Sequence, residues 1–425
     1  MVDIGTNEKS FSKACVMGLG YIGLPTASLL ATRRVEVLGV DVNPKTVECI
    51  NNGLIHIHEP DLDIMVRTAV QSGQLKASLE PVPADVFILA VPTPFCENHA
   101  PDYSYIEAAT RMIAPYIAPG NLVVLESTSP VGTTEKVGEW LRELRPDLKI
   151  PLRGEDGKYA SGQIYIAHCP ERVLPGHVLR ELVENDRVIG GIDTVSAEVA
   201  RDFYERFVTG RILLTDTRTA ELCKLAENSF RDVNIAFANE LSLICEQLDI
   251  NVWELIELTN CHPRVNILQP GPGVGGHCIA VDPWFIVHSA PEASRLIHTA
   301  RLINDEKPER VVERVRQKAA SFKNPVIACL GLAFKADIDD LRESPAMHIV
   351  QRIAEENFGQ VLAVEPYVKE LPASLRHLPI ALTDVTAALN RADVIVLLVN
   401  HRQFSRIPRR ILQEKVVIDT RGLWR

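Results

Sequence analysis

The 425-residue chain reads as an α/β protein, with two doubly wound parallel sheets joined by a long central helix. Three observations carry that reading. The first half alternates short β-branched runs with helical patterns, and the last third does so again. Between them lies a stretch that is apolar at helical period and contains neither proline nor glycine.

In the first half the expected strands are residues 14–17, 35–40, 86–90, 122–126 and 164–167, with helical patterns between several of them. The central helix is expected over 219–248, followed by shorter helices at 252–259 and 292–305. Strands return at 326–330, 361–364, 394–399 and 416–419. The implied organisation is a flexible extension over 1–13, a first α/β domain over 14–212, a helical domain over 213–318 able to carry a subunit interface, and a second α/β domain over 319–425.

Composition narrows the function classes. Apolar residues make up 46% and charged residues 24%, as in a soluble globular protein. The net charge is −10 with no basic run, which argues against nucleic acid as a partner. An anionic ligand then needs cations gathered in a pocket. No apolar stretch has the length of a membrane span, and the polar start has no signal-peptide core, so neither a membrane nor secretion is expected. The nine cysteines are scattered and form no C-x-x-C pair, which points to a reducing, cytoplasmic compartment and to no metal site. Cys15, Cys245 and Cys329 sit in apolar text and read as small buried hydrophobes.

The first chemistry-bearing motif follows the first strand. Gly18, Gly20 and Gly23 fit G-x-G-x-x-G at a strand-to-helix turn. The first glycine permits the tight turn, the second lets backbone approach a pyrophosphate, and the third lets helix pack on strand. The second strand ends at Asp41, where an acid meets the ribose hydroxyls of NAD and repels the 2′-phosphate of NADP. The fold is thus Rossmann-like and the expected cofactor is NAD. Thr93 and Thr128 follow later strands at their C-terminal ends, where ligands bind in such sheets; each is either a cofactor contact or a turn residue.

The run Gly271-Pro272-Gly273-Val274-Gly275-Gly276-His277-Cys278 excludes regular structure. It brings backbone close to a ligand and presents Cys278, the most plausible nucleophile of the nine, against the alternative of a buried filler. On the central helix Lys224, Asn228 and Arg231 recur at i, i+4 and i+7, so they share a face. Leu222, Leu225, Phe230 and Ile235 around them suggest that the helix is buried over much of its surface, so that Lys224 can exchange protons. In the second α/β domain the first turn, Gly331-Leu332-Ala333-Phe334-Lys335, lacks the glycine triplet and is a poor second dinucleotide site. Lys335 and Arg342 there suit the phosphates of a nucleotide diphosphate, or else pair with Asp339 and Asp340.

These motifs, in this order from Val16 to Arg425, make the chain resemble the UDP-sugar 6-dehydrogenases, the four-electron oxidoreductases of the UDP-glucose/GDP-mannose dehydrogenase family. The text that carries the resemblance includes Cys169-Pro170-Glu171-Arg172-Val173, Glu227-Asn228-Ser229-Phe230-Arg231, His262-Pro263-Arg264-Val265-Asn266 and Cys278-Ile279-Ala280-Val281-Asp282-Pro283-Trp284. UDP-glucose dehydrogenases usually have Leu-Pro-Lys-Asp after the cysteine. The run Ile279-Ala280-Val281-Asp282 here is more similar to members that oxidise UDP-N-acetyl-D-mannosamine.

The resemblance implies oxidation of that sugar at C6 by two NAD, with Cys278 forming a thiohemiacetal and then a thioester. It implies proton handling by Lys224, Asn228 and Asp282, and a hydrolytic water oriented by Glu171 and Thr128. It assigns Arg172, Val173, Lys224, Asn228, Arg231, His262, Arg264, Gly275, Phe334, Lys335 and Arg342 to the UDP-sugar. Tyr21, Ile22, Asp41, Thr93 and Arg421 fall to NAD together with the three glycines. A homodimer built on the central helix and a product destined for an envelope or capsule polysaccharide complete the implication. Alternatives are UDP-N-acetylglucosamine or UDP-glucose as substrate, a two-electron alcohol dehydrogenase in which Cys278 is structural, and a non-catalytic nucleotide binder.

Overall fold

The computed structural model describes residues 11–57, 59–96, 98–153, 159–160, 162–174, 176–276 and 278–425. Residues 1–10 of the expected extension therefore lie outside the described part. Phe11 is already buried, and its ring meets Phe203 edge-on at 5.4 Å. The chain forms two compact units, 1–226 and 227–425.

The first unit contains β1 (Lys13–Met17), α1 (Gly23–Thr32), β2 (Glu36–Val40), α2 (Pro44–Asn51), α3 (Leu62–Gln71), β3 (Leu75–Ser78), β4 (Val86–Leu89), α4 (Ser104–Ile113), β5 (Leu122–Leu125) and α5 (Thr133–Leu144). There follow a short hairpin of β6 (Leu152–Arg153) and β7 (Tyr159–Ala160), then β8 (Tyr165–His168), α6 (Val178–Glu184), β9 (Arg187–Gly191), α7 (Thr194–Tyr204), β10 (Ile212–Asp216) and the start of α8 (Thr217–Gln247). Its sheet has the order β10-β9-β8-β5-β4-β1-β2-β3. The pairings are parallel except for β8 with β9, which is antiparallel, so β9 and β10 run against the other six strands.

Every residue of β4 and β5 is buried, because helices cover both faces of a parallel sheet. That is why these strands stand out in the sequence. The edge strand β3 alternates buried with more exposed residues, and β10 exposes Leu213 and Leu214. Neither edge has the continuous apolar run of a central strand, and both escape a reading based on such runs. Capping is local: Asn43 accepts the N–H of Lys45 ahead of Pro44 in α2, and Asp193 accepts that of Ser196 at 2.7 Å in α7. Each such cap contributes about 1 kcal/mol.

The second unit contains the rest of α8, then α9 (Val252–Thr259), α10 (Asp282–Ser289), α11 (Arg295–Ala319), β11 (Val326–Leu330), α12 (Pro345–Glu356), β12 (Gln360–Val364), β13 (Ile380–Leu382), α13 (Val385–Arg391), β14 (Val394–Leu397), α14 (Arg409–Gln413) and β15 (Val416–Asp419). The sheet order is β13-β12-β11-β14-β15, parallel throughout. One core layer joins Val312, Val315, Ile349 and Ile353 of α11 and α12 to the sheet, and another joins Leu389, Phe404 and Leu412. Each such side chain, fully buried, contributes roughly 1.5–3 kcal/mol.

Two helical expectations change. The helix expected to end at 305 runs on to Ala319 straight through Pro308, which is buried inside α11. The helix α8 is not apolar all round: Leu222 and Phe230, expected inside, are 45% and 71% exposed. Among the described residues no helix is long and apolar enough to cross a membrane.

Candidate active site

In the first unit the glycine turn behaves as its spacing requires. Gly18 has φ +90°, and a Cβ there would lie 2.7 Å from the Ala90 carbonyl oxygen. A Cβ on Gly23 would stand 1.8 Å from the Gly18 oxygen, so only glycine lets α1 close onto the turn. Gly20 faces open space, with nothing within 4 Å of its missing side chain. That is the position where a pyrophosphate needs room. Tyr21 and Ile22 lead into α1, which has no side-chain cap at Ile22, so its N-terminal end suits an anion. Asp41 is anchored by accepting the N–H of Leu19 at 3.0 Å and of Asn43 at 2.9 Å. Thr93 presents a buried hydroxyl without a hydrogen-bond partner just beyond β4. A dinucleotide fits these features: pyrophosphate over Gly20, ribose at Asp41, and an acceptor or donor for Thr93.

Thr128 is half-buried in the loop after β5. The loop is clamped from within by Ser127, whose hydroxyl donates to the Val91 carbonyl at 2.6 Å. It is clamped from α8 by Glu221, which accepts from the Gly132 and Thr134 N–H groups and from the Thr134 hydroxyl at 2.6–2.7 Å. Lys224 stands one turn further along α8 and is half-buried.

Glu171 is buried, and each of its oxygens has a partner. Its Oε2 pairs with Arg187 at 2.7 Å and its Oε1 accepts the Arg172 N–H at 2.7 Å. Beside it Glu126 accepts the Tyr204 hydroxyl at 2.6 Å, and its carboxyl is pushed up to about 7 by burial first and by the Glu171 charge second. Arg172 reaches the Asp186 carbonyl, and Val173 packs against the core. The sequence alone assigned no role to Glu126, Arg187, Tyr204 or Glu221. Their signal was a charged or hydroxyl-bearing residue inside an apolar run, which is weak without knowledge of what it faces.

In the second unit Asn228 donates to the Asp282 carboxylate at 2.5 Å, and both are buried. The N–H of Asp282 donates to the Cys278 carbonyl at 2.8 Å, so the chain turns from Cys278 directly into α10. Cys278 is exposed at the head of this turn. The glycine loop before it is pressed against the first βα turn of the second sheet. A Cβ on Gly275 would lie 2.4 Å from the Glu343 oxygen, and one on Gly276 would lie 2.9 Å from the Phe334 ring. Phe334 thus meets the loop, and Lys335 beside it is exposed. Arg342 forms a fork on the Asp340 carboxylate, the pairing left open by the sequence.

Arg421, assigned to NAD by resemblance, lies under Gly271 in this unit, and its Nε donates to the Leu398 carbonyl at 3.0 Å. Burial pulls its guanidinium down to about 10. Arg231, His262 and Arg264 are solvent-exposed, with the His262 Nδ1 accepting the Arg264 N–H at 3.3 Å. None of the three shares a described hydrogen bond with the glycine loop.

The first βα turn of the second sheet differs chemically from the glycine turn of the first. The Glu365 carboxylate accepts the N–H groups of Leu332 at 2.7 Å and Ala333 at 3.0 Å, the donors a pyrophosphate uses. His401 holds that carboxylate: its Nδ1 accepts the Asp337 N–H, so its Nε2–H donates to Glu365 at 3.1 Å. These two residues too went unread in the sequence.

The chain matches the NAD-binding domain of the UDP-glucose/GDP-mannose dehydrogenase family over residues 12–208, its central domain over 218–306 and its UDP-binding domain over 328–425. It is 62% identical to an NDP-N-acetyl-D-galactosaminuronic acid dehydrogenase of Ralstonia nicotianae, covering 97% of this chain and 96% of the relative. It is 58% identical to a UDP-N-acetyl-D-mannosamine dehydrogenase of Campylobacter jejuni, covering 93% and 97%. The structure of a UDP-D-ManNAc dehydrogenase from Pyrococcus horikoshii superposes with a TM-score of 0.85 at 38% identity, over 97% and 96% of the two chains. With its glycine turn shaped for NAD and matches to all three domains, the chain belongs to the UDP-glucose/GDP-mannose dehydrogenase family and is an NAD-binding dehydrogenase.

Proposed function

We propose that this protein oxidises the C6 alcohol of a UDP-N-acetylhexosamine to the carboxylate, with UDP-N-acetyl-D-mannosamine as the substrate. The observation that carries the chemistry is Cys278 at the mouth of a glycine loop, with the hydrogen-bonded Asn228–Asp282 pair directly behind it. A cysteine kept only for packing is buried, as Cys15 and Cys329 are, with thiols pushed up to about 12.

NAD, held by Gly18, Gly20, Gly23 and Asp41, supplies the hydride acceptor when bound. Lys224, with Asn228 and Asp282, takes the proton of the C6 hydroxyl in the first oxidation. The Cys278 sulfur then forms a C–S bond to the aldehyde carbon, and the carbonyl oxygen takes a proton, giving a thiohemiacetal. Loss of the hydroxyl proton and of a hydride, for which a second NAD would supply the acceptor, leaves a thioester. Water held by Glu171 and Thr128 attacks that carbon, the C–S bond breaks, and the carboxylate and the thiol are released. The ammonium of Lys224 stabilises the oxyanion at each addition. Arg172, Val173, Arg231, His262, Arg264, Gly275, Phe334, Lys335 and Arg342 are proposed to line the UDP-sugar site, and Arg421 to support the cofactor.

The same proposal divides the chain at 14–212, 213–318 and 319–425 and makes it a cytoplasmic homodimer. The dimer is supported by an apolar stripe on α8: Phe230, Phe237 and Ile244 are exposed at spacings that place them on one face. The reducing compartment is supported by buried thiols that occur singly at Cys15, Cys245 and Cys329.

A second substrate, an N-acetylgalactosamine on a nucleoside diphosphate, is favoured by the 62% identity to the Ralstonia nicotianae NDP-N-acetyl-D-galactosaminuronic acid dehydrogenase. The test is NADH formed per sugar consumed, with the manno, galacto, gluco and UDP-glucose substrates in parallel and Cys278→Ala alongside. Two NADH per UDP-N-acetylmannosamine, lost in the variant, is the expected result. Two NADH from the galacto sugar alone would keep the chemistry and move the substrate. One NADH with an active variant would overturn the thioester scheme.

A further inference from the structure

The loop that leads to Cys278 is held at both ends by asparagines of one helix. Asn228 grips Asp282 beyond the cysteine, and the Asn239 Oδ1 accepts the Gly271 N–H at 2.9 Å at the start of the loop. At 3.6 residues per turn the two asparagines, like Asp232 between them, lie on the same buried face of α8.

The Asn239 amide cannot turn freely. The Asp232 carboxylate pairs with Arg301 at 2.5 Å and accepts Nδ2 of Asn304 at 2.8 Å. A carboxylate is acceptor-only, so Asn304 must point its nitrogen at Asp232 and its oxygen at Asn239. Asn239 then directs Nδ2 to Asn304 at 2.8 Å and leaves Oδ1 for Gly271. All four side chains are at most 1% exposed, so water does not compete. Between Gly271 and Cys278, Gly273 and Gly276 have φ of +143° and +83°, backbone that little but glycine adopts. A loop so rich in freedom needs fixed ends.

We propose that Asn239 is a positioning residue for the reaction: by fixing the Gly271 amide it sets how Cys278 is presented. This rests on Cys278 being the nucleophile.

The test compares Asn239→Leu, Asn239→Asp and Cys278→Ala with wild type. It reads kcat and KM for the UDP-sugar and the rate at which iodoacetamide alkylates Cys278. Asn239→Leu is expected to lower kcat about 10²-fold, with KM little changed and the alkylation rate shifted. Asn239→Asp keeps an acceptor for Gly271, and its neutral acid form also donates to the Asn304 oxygen in place of Nδ2; burial favours that form, so it is expected to restore most of kcat. If Asn239→Leu does not fold, Asn304→Leu removes the group that orients the amide, together with its own bonds to Asp232, and is expected to lower kcat in the same way. Wild-type kcat and alkylation in folded Asn239→Leu or Asn304→Leu, or a folded Asn239→Asp as slow as Asn239→Leu, overturns the proposal. An active Cys278→Ala overturns instead the reading of Cys278 on which it stands.

Discussion

The Arg187 guanidinium holds the Glu171 carboxylate at 2.7 Å where both side chains are almost entirely buried. It also donates to the Leu182 carbonyl at 3.0 Å, so the cation bridges the carboxylate to the end of α6. The pair is what makes a charge at Glu171 tolerable inside the first unit. Removing one partner of such a pair leaves the other charge uncompensated, at a cost of about 3–5 kcal/mol. Arg187→Met is therefore expected to lower the unfolding midpoint in urea sharply, and Arg187→Lys to recover only part, because Lys lacks the second fork donor. A midpoint equal to wild type in Arg187→Met would show that Glu171 does not depend on this ion pair.

The glycine turn separates binding from folding. Gly20→Ala introduces a methyl group into open space, so it is expected to leave the melting temperature near wild type while weakening NAD binding at least tenfold, measured by titration calorimetry. Gly23→Ala drives a methyl group to 1.8 Å from the Gly18 oxygen and is expected to destabilise the fold itself. If Gly20→Ala binds NAD normally, the pyrophosphate does not lie over that residue.

Glu126 gives a pH dependence with a definite sign. In the unfolded chain it ionises near 4.5, and in the folded state it keeps its proton to about 7. Between those values the folded state binds the extra proton, so this group's contribution falls as pH rises, by roughly 3 kcal/mol in all. Glu221, pushed up to about 7 by burial, slopes the same way, so the comparison must be between variant and wild type. Glu126→Gln still accepts the Tyr204 hydroxyl and cannot ionise. It is expected to gain stability over wild type at pH 8 and little at pH 4.5; equal curves at both pH values would refute the assignment.

The exposed stripe on α8 makes the proposed dimer testable. Phe237→Glu places a charge in its middle and is expected to shift the sedimentation coefficient from dimer to monomer at micromolar protein. A wild-type protein that already sediments as a monomer would remove the stripe from consideration as a subunit contact.

Much of the fold was legible along the chain because it depends on short-range patterns. The strands at 326–330 and 416–419 and the helix at 252–259 occur as read, since continuous apolar runs and helical periodicity survive folding unchanged. The spacing of Gly18, Gly20 and Gly23 likewise assigned each its separate task. Where the reading stopped, the deciding contact was distant in sequence. The helix expected over 292–305 instead continues to Ala319 through Pro308, whose missing N–H removes one local ladder bond.

The candidate site divides along the same line. Cys278 and Asn228 could be named from residue type and spacing, because a nucleophile in a glycine loop and polar groups at helical intervals announce themselves; Asp282 came only from the family resemblance. That Asn228 meets Asp282, that Asn239 meets Gly271, that Arg187 neutralises Glu171 and that Glu365 fills the second phosphate turn depends on pairing across at least sixteen residues and up to fifty-four. Local sequence specifies backbone propensity and which face of an element is apolar. Which buried polar group finds which partner is set only when the elements pack, because a desolvated carboxylate or amide is stable only beside the donor or acceptor that the packing delivers.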